Sequence, residues 1–230
     1  MAFGALIPAA GQGKRMRSSI KKPYLILDDR PVLAHAIELF SGHDNIKEIV
    51  VVVNKNEMEY CQDRIINKYF DIPIMLIAGG KTRRESVYAG LKVFSPAIDY
   101  VIIHDGVRPL LPAKLVDRIM KAVKKYQAVI TGIEVTDTIK EVAEDGFVID
   151  TPARDKLWAI QTPQAFLYEI IMKAHREVPD RLKVTDDASL LEEIGVAVKV
   201  IKGSKKNIKI TRPLDMVLAE RLLQDEESKR

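Results

Sequence analysis

Ala5-Leu6-Ile7-Pro8-Ala9-Ala10-Gly11-Gln12-Gly13-Lys14-Arg15-Met16-Arg17-Ser18-Ser19-Ile20-Lys21-Lys22-Pro23-Tyr24-Leu25 is the stretch from which the rest of the chain is read. The apolar run from Phe3 to Ile7 has the composition of a strand and empties into a turn containing Pro8, Gly11 and Gly13. Behind the glycines stand the cations Lys14, Arg15, Arg17, Lys21 and Lys22. Glycines let backbone N–H groups approach a ligand and turn inward as an anion nest. Lysine and arginine add mobile positive charge at the same place. Such a loop, at the end of a strand, suits a polyphosphate. Spacing excludes the two familiar phosphate loops. A Walker loop needs G-x-x-x-x-G-K-[ST], but Gly13-Lys14 is followed by Arg15 and position 8 is Pro. Gly80-Lys81-Thr82 has the right ending, yet Met75 stands where the first glycine belongs. The dinucleotide fingerprint starts at Gly11 and Gly13 and fails at Met16.

A second stretch repeats the same logic. Gly79-Gly80-Lys81-Thr82-Arg83-Arg84-Glu85-Ser86-Val87 follows a strand-like run, Ile72 to Ala78, and leads into a helix expected from about Arg83 to Val93. Free N–H groups and a partial positive charge at a helix start favour an anion. A third candidate is His104-Asp105-Gly106-Val107-Arg108-Pro109, which follows the short apolar run Tyr100 to Ile103. Open α/β sheets place ligand-facing groups at the carboxyl ends of their central strands. Asp105 there is a hard oxygen ligand suited to magnesium beside a triphosphate.

Composition sets the outer limits. A chain of 230 residues, 47% hydrophobic and 30% charged, has ample core and a surface of mixed sign. A net charge of +4 suits an anionic substrate and falls well short of a nucleic-acid footprint. Cys61 is the only cysteine, which rules out an intramolecular disulfide and any multi-cysteine zinc site. No apolar run reaches the length of a membrane span, and Met1-Ala2-Phe3 lacks the charged start of a signal peptide, so a cytoplasmic location is expected.

Taken in order, the pattern predicts a helix over 31–40, a buried strand over 49–53, a helix around 56–69, a helix over 112–125 and a strand over 128–134. The alternation is that of an α/β, doubly wound, mostly parallel sheet with right-handed crossovers. From Val135 the period shortens. Thr136 to Val142 and Phe147 to Ile149 flank a Glu144-Asp145-Gly146 turn, as in a β-hairpin, and a hairpin needs something to pack on. A helix over 165–176 is expected next. Thr185 or Asp186 is placed to cap a helix running to Ile194, then come a strand over 196–202 and a final helix over 215–223. With no internal repeat or linker, residues 1–230 read as a single domain carrying an arm at about 135–155.

Pro8-Ala9-Ala10-Gly11-x-Gly13-x-Arg15-Met16 followed by Lys22 resembles the signature of sugar-phosphate nucleotidyltransferases. Gly80, Arg83 and Ser86, the His104-Asp105…Arg108-Pro109 block, Leu157-Trp158 with Thr162-Pro163-Gln164, Thr185-Asp186-Asp187-Ala188-Ser189 and Lys209 narrow it. Together they resemble the 2-C-methyl-D-erythritol 4-phosphate cytidylyltransferases. Two departures stand out: Lys21-Lys22-Pro23-Tyr24 for the family's Pro-Lys-Gln-Tyr, and Gly106-Val107 for its Ala-Ala. The resemblance implies a Rossmann-like nucleotidyltransferase fold, a magnesium (or other divalent) cofactor held with Asp105, and a homodimer made through the arm. It implies CTP bound by Pro8, Ala9, Ala10, Gly11, Gly13, Lys14, Gly80, Arg83, Ser86 and Asp105. Methylerythritol phosphate would be held by Asp105, Arg108, Thr138, Arg154 and Lys209, with Arg15, Lys22 and Lys209 catalytic. His104 and Trp158 are expected to be structural. A ribitol 5-phosphate cytidylyltransferase and a catalytically silent nucleotide-binding homologue are the rival readings.

Overall fold

The computed structural model describes residues 1–11, 21–179, 182 and 184–227. Gly13, Lys14 and Arg15 lie outside them. Seven strands form the central sheet: β1 (Phe3–Pro8), β2 (Ile46–Val53), β3 (Met75–Ala78), β4 (Tyr100–Ile103), β5 (Ala128–Glu134), β6 (Trp158–Leu167) and β7 (Lys199–Lys202). Their spatial order is β7-β5-β6-β4-β1-β2-β3, and every neighbouring pair is parallel except the two that β6 makes. The chain winds from β1 outward through β2 to β3, then crosses to lay β4 on the other side of β1. The gap beyond the carboxyl ends of β1 and β4 is therefore the switch point, where a doubly wound sheet leaves a crevice.

Alternation along the strands fills both faces. Phe3, Ala5, Ile7, Val51 and Val53 pack with Leu33, Ile37 and Phe40 of α1 (Val32–Ser41) and with Leu115, Val116 and Ile119 of α3 (Ala113–Tyr126). Leu6, Val50, Val52, Val101 and Ile103 point the other way. They meet Val87 and Leu91 of α2 (Arg83–Leu91), Ile171 and Ala174 of α4 (Tyr168–Glu177) and Leu190 and Leu191 of α5 (Ala188–Glu193). Fully burying one such aliphatic side chain contributes about 1.5–3 kcal/mol, so the continuous Val50–Val53 run is stable only where both faces are covered. A last helix, α6 (Pro213–Glu227), places Ala219 against Leu27, Val32, Leu110 and Ile210.

Several boundaries differ from the sequence reading. The helix expected over 56–69 runs over 58–69 and contains a π turn at Gln62–Ile66. The strands expected from Ile72 and Val196 start at Met75 and Lys199. The final helix is longer at both ends. The main correction concerns residues 158–167. Ala165–Leu167 end a strand rather than begin a helix, and that strand is the antiparallel member of the sheet. Its register shifts between Gln161 and Gln164, across Thr162-Pro163. Proline and polar residues in mid-strand break the alternation by which a strand is recognised.

The hairpin is present. Glu141–Val142 pairs with Val148–Asp150, and the turn between them closes at Gly146, whose φ of +92° suits a residue without a Cβ. Its apolar side chains are uncovered: Phe147, Val148 and Ile149 are 76%, 57% and 62% exposed. Among the described residues no helix is long and apolar enough to cross a membrane.

Candidate active site

A cavity of about 990 Å³ opens at the switch point, lined by Pro8–Gly11, Lys22, Gly79–Arg83, Ser86, Asp105 and Lys209 among others. Its two glycine loops are locked together. A Cβ on Gly79 would stand 2.6 Å from the Ala10 Cβ and 2.8 Å from Ser86 Oγ, so glycine is required for that approach. Ser86 Oγ accepts a hydrogen bond from the Gly80 N–H at 3.1 Å and donates to the Thr82 carbonyl at 2.8 Å. Thr82 caps α2 by accepting from the Glu85 N–H, and Glu85 accepts from the Lys81 N–H in turn. The loop is thus braced by hydrogen bonds of its own residues.

Lys22 begins a short 3₁₀ turn, Lys22–Tyr24, and is buried against the cavity. Its neighbour Lys21 pairs with Glu57. Tyr24 packs edge-on against Tyr60. The turn is therefore anchored on both sides of Lys22, with Pro23 also at the cavity wall.

A second cavity, of about 400 Å³, lies beside the first, lined by Arg108, Gln161, Thr162, Gln164, Thr185, Asp186 and others. Arg83, Asp105 and Lys209 line both cavities and form the wall between them. Lys209 Nζ is 2.7 Å from Asp105 Oδ2, Arg108 Nε is 3.8 Å from the same oxygen, and Arg83 Nη2 is 3.4 Å from Oδ1. Burial alone would raise the Asp105 pKa. The pull of Arg83 and Lys209 more than reverses this and holds it at about 2. Burial lowers the Arg108 pKa.

A buried polar lattice sets this wall. Arg108 Nη1 donates to the Asn207 carbonyl at 2.7 Å, and Asn207 Nδ2 donates to the Thr162 carbonyl at 2.7 Å. The Ile210 N–H bonds the Val107 carbonyl, which fixes the neighbouring Lys209. The Asp105 N–H donates to Thr162 Oγ1 at 3.0 Å. His104 Nε2 faces the Arg108 carbonyl at 2.9 Å and so carries the ring proton, while Nδ1 lies 3.3 Å from Thr162 Oγ1. His104 is fully buried, and burial depresses its pKa to about 4. A neutral ring with both nitrogens engaged holds strand ends together and is closed to substrate.

The structure brings Pro8, Ala9, Ala10, Gly11, Lys22, Gly80, Arg83, Ser86, Asp105, Arg108 and Lys209 to these two adjoining cavities. Thr138 and Arg154 are not among the lining residues. Both are exposed in the arm, where Arg154 Nη1 donates to the Thr136 carbonyl. Asp186 caps α5: it accepts from the Ser189 N–H at 3.1 Å, and Ser189 Oγ accepts from the Asp186 N–H. Sequence reasoning missed Asp187, whose Oδ2 lies 2.8 Å from Arg83 Nη2, and gave no role to Gln161 or Asn207. Two adjacent aspartates, Asp186-Asp187, offer no signal that tells which carboxylate turns inward.

Residues 3–225 match the sequence family described as 2-C-methyl-D-erythritol 4-phosphate cytidylyltransferase. The chain belongs to that family. It is 46% identical over 226 residues to the 2-C-methyl-D-erythritol 4-phosphate cytidylyltransferase of Syntrophotalea carbinolica, covering 97% of each chain. It is 44% identical over 225 residues to that of Caldanaerobacter subterraneus subsp. tengcongensis, covering 97% of this chain and 99% of the relative. The crystal structure of the 4-diphosphocytidyl-2C-methyl-D-erythritol synthase of Anaerococcus prevotii superposes with a TM-score of 0.86 at 37% identity, over 97% of this chain and 96% of that one. This cytidylyltransferase relationship spans the whole sheet, both glycine loops and the Asp105 wall.

Proposed function

We propose that this chain transfers the cytidylyl group of CTP to the phosphate of 2-C-methyl-D-erythritol 4-phosphate, giving 4-diphosphocytidyl-2-C-methyl-D-erythritol and pyrophosphate in non-mevalonate isoprenoid precursor synthesis. The observation that carries this reading is the shared wall of Arg83, Asp105 and Lys209 between a larger, glycine-lined cavity and a smaller, hydroxyl-lined one. Group transfer between two bound substrates needs two compartments meeting at the reacting phosphorus. In this reading Pro8–Gly11, Gly13, Lys14 and Gly79–Ser86 hold the nucleotide, and backbone-lined glycine loops favour a small pyrimidine. An acceptor phosphate oxygen attacks the α-phosphorus, the bond from that phosphorus to the pyrophosphate oxygen breaks, and pyrophosphate leaves with the electron pair.

The acceptor needs no proton removed, so fixed cations matter more than a base. Lys22 and Lys209, with Arg15, are the proposed stabilisers of the charge that develops during transfer. The enclosure of His104 agrees with a site that works without a general base. Asp105 can take part in holding a divalent cation such as magnesium only when triphosphate oxygens supply the rest of the shell. Its two oxygens already face three cations, and among the described residues no group of three or more His, Cys, Asp or Glu stands ready to hold a metal. Bound there, the ion would neutralise phosphate charge.

Residues 1–230 act in this reading as one catalytic unit that works as a homodimer. Arg108 and Thr162 face the acceptor from within the chain, while Thr138 and Arg154 reach the acceptor cavity of the other subunit through the 135–155 arm. The test is pyrophosphate release with CTP and magnesium, run in parallel against methylerythritol 4-phosphate and ribitol 5-phosphate. Turnover with the first alone is expected. Preference for ribitol 5-phosphate, or comparable turnover with ATP, overturns the assignment.

A further inference from the structure

Asp187 is 1% exposed, and Arg83 is its one ion-pair partner among the described residues. We propose that Asp187 is a positioning residue that holds the Arg83 guanidinium in the wall between the two cavities, where it faces both substrates. The inference deepens the two-cavity reading above and rests on it.

Arg83 is the first residue of α2, and its side chain spans two carboxylates, Asp105 at 3.4 Å and Asp187 at 2.8 Å. The two are unequal. Asp105 is also compensated by Lys209 and Arg108, whereas Asp187 depends on Arg83. Burial raises the Asp187 pKa and the Arg83 charge 2.8 Å away opposes this, so release of the guanidinium would leave a buried carboxylate uncompensated away from water. Without Asp187 the guanidinium would fall onto Asp105 and compete there with Lys209, one of the three cations assigned to the transfer step. Asp187 thus pulls Arg83 away from Asp105 and leaves Lys209 its place.

The rest of the chain keeps Asp187 where this requires. The preceding Asp186 is fixed by the reciprocal cap with Ser189 and by Gln164 Nε2 at 2.7 Å. Arg84, next to Arg83, donates to the carbonyls of Pro179 at 3.0 Å, His175 at 3.2 Å and Val178, closing the end of α4. Two consecutive arginines therefore tie the start of α2 to both ends of the segment from Val178 to Asp187. Thr185, which lines the smaller cavity, lies on that segment.

The test is a double-mutant cycle in the full chain with Asp187→Asn, Arg83→Gln and the pair. Turnover, both Michaelis constants and thermal unfolding are measured on each. If Asp187 acts through Arg83, Asp187→Asn lowers kcat on the order of 10-fold, and in an Arg83→Gln background it costs no further turnover. The double variant also melts above Arg83→Gln, because the lone buried carboxylate has gone. Wild-type kcat in Asp187→Asn, or losses that multiply in the double variant, overturn the proposal. Should Asp187→Asn fail to fold, the comparison of the double variant with Arg83→Gln decides on the same terms. A wild-type chain that releases no pyrophosphate with CTP and either polyol phosphate sinks the functional reading, and this inference with it.

Discussion

Asp105 is 6% exposed and faces three cations of its own chain, whereas Phe147, near the tip of the arm, is 76% exposed. The first region links many of its buried polar groups by packing strand ends against one another, through Thr162, His104, Arg108 and Asn207. The second leaves apolar side chains in water on a hairpin whose strands are two and three residues long. A single chain completes the wall between the cavities, and an isolated hairpin of that size is marginal without a surface to pack on. In the proposed reading the nucleotide side belongs to one chain, and the acceptor side is finished by two.

The largest expected effect tests the completed side. Lys22→Ala should lower turnover on the order of 10² to 10³-fold with a much smaller change in CTP binding, if its charge acts mainly in the transition state. Lys21→Ala should cost less, since Lys21 faces Glu57 and acts only by anchoring the turn. Steady-state kinetics on both variants check this, and the reverse order would show that the two lysines exchange roles around Pro23.

Next comes the buried ring behind the wall. The folded-state pKa of His104 is depressed to about 4 from 6.5, so the unfolded chain takes up a proton first as pH falls. This contribution to stability is complete above pH 6.5 and is lost progressively down to pH 4. A shift of that size corresponds to about 3 kcal/mol. Urea unfolding at pH 7 and pH 4.5 should show the loss, and a His104→Gln variant should show a flatter profile over the same window.

A smaller effect probes the arm. Arg154→Ala should raise the Michaelis constant for the polyol phosphate by roughly 10-fold, the value of one charge-assisted hydrogen bond, and leave that for CTP nearly unchanged. Mixing it, after dissociation and reassociation, with Lys22→Ala should restore about a quarter of wild-type sites if each arm serves the other subunit. Absence of recovery would place the arm in its own chain. Last, Phe147→Asp should shift sedimentation from dimer towards monomer while leaving the melting of the sheet within a degree or two, as an exposed substitution does.

The two regions also differ in how far the sequence foretold them. The run Ile49 to Val53, the Gly79-Gly80 loop and Asp105 are local patterns with local causes: the run lies within the strand Ile46–Val53, and Gly79, Gly80 and Asp105 line the larger cavity. The hairpin was equally visible, because Asp145-Gly146 is a turn signal in its own right. What stayed hidden was non-local. Strand β6 contains Thr162-Pro163, so its pattern is broken at the residues that brace Asp105 and His104. Asp187 looked like one of three neighbouring polar residues, and only the fold turns it towards Arg83. Asn207 and Gln161 work through backbone carbonyls, which no side-chain motif records.

Lys209 gives the wall one more property. It follows Arg83, Asp105 and Arg108 in the chain, beyond every strand of the sheet. During synthesis both glycine loops and the central strands therefore emerge before the cation that completes the Asp105 cluster. A chain still on the ribosome at Lys202 holds all seven strands but not Lys209, one of the three cations proposed for transfer. The wall between the two cavities is therefore completed from its late end.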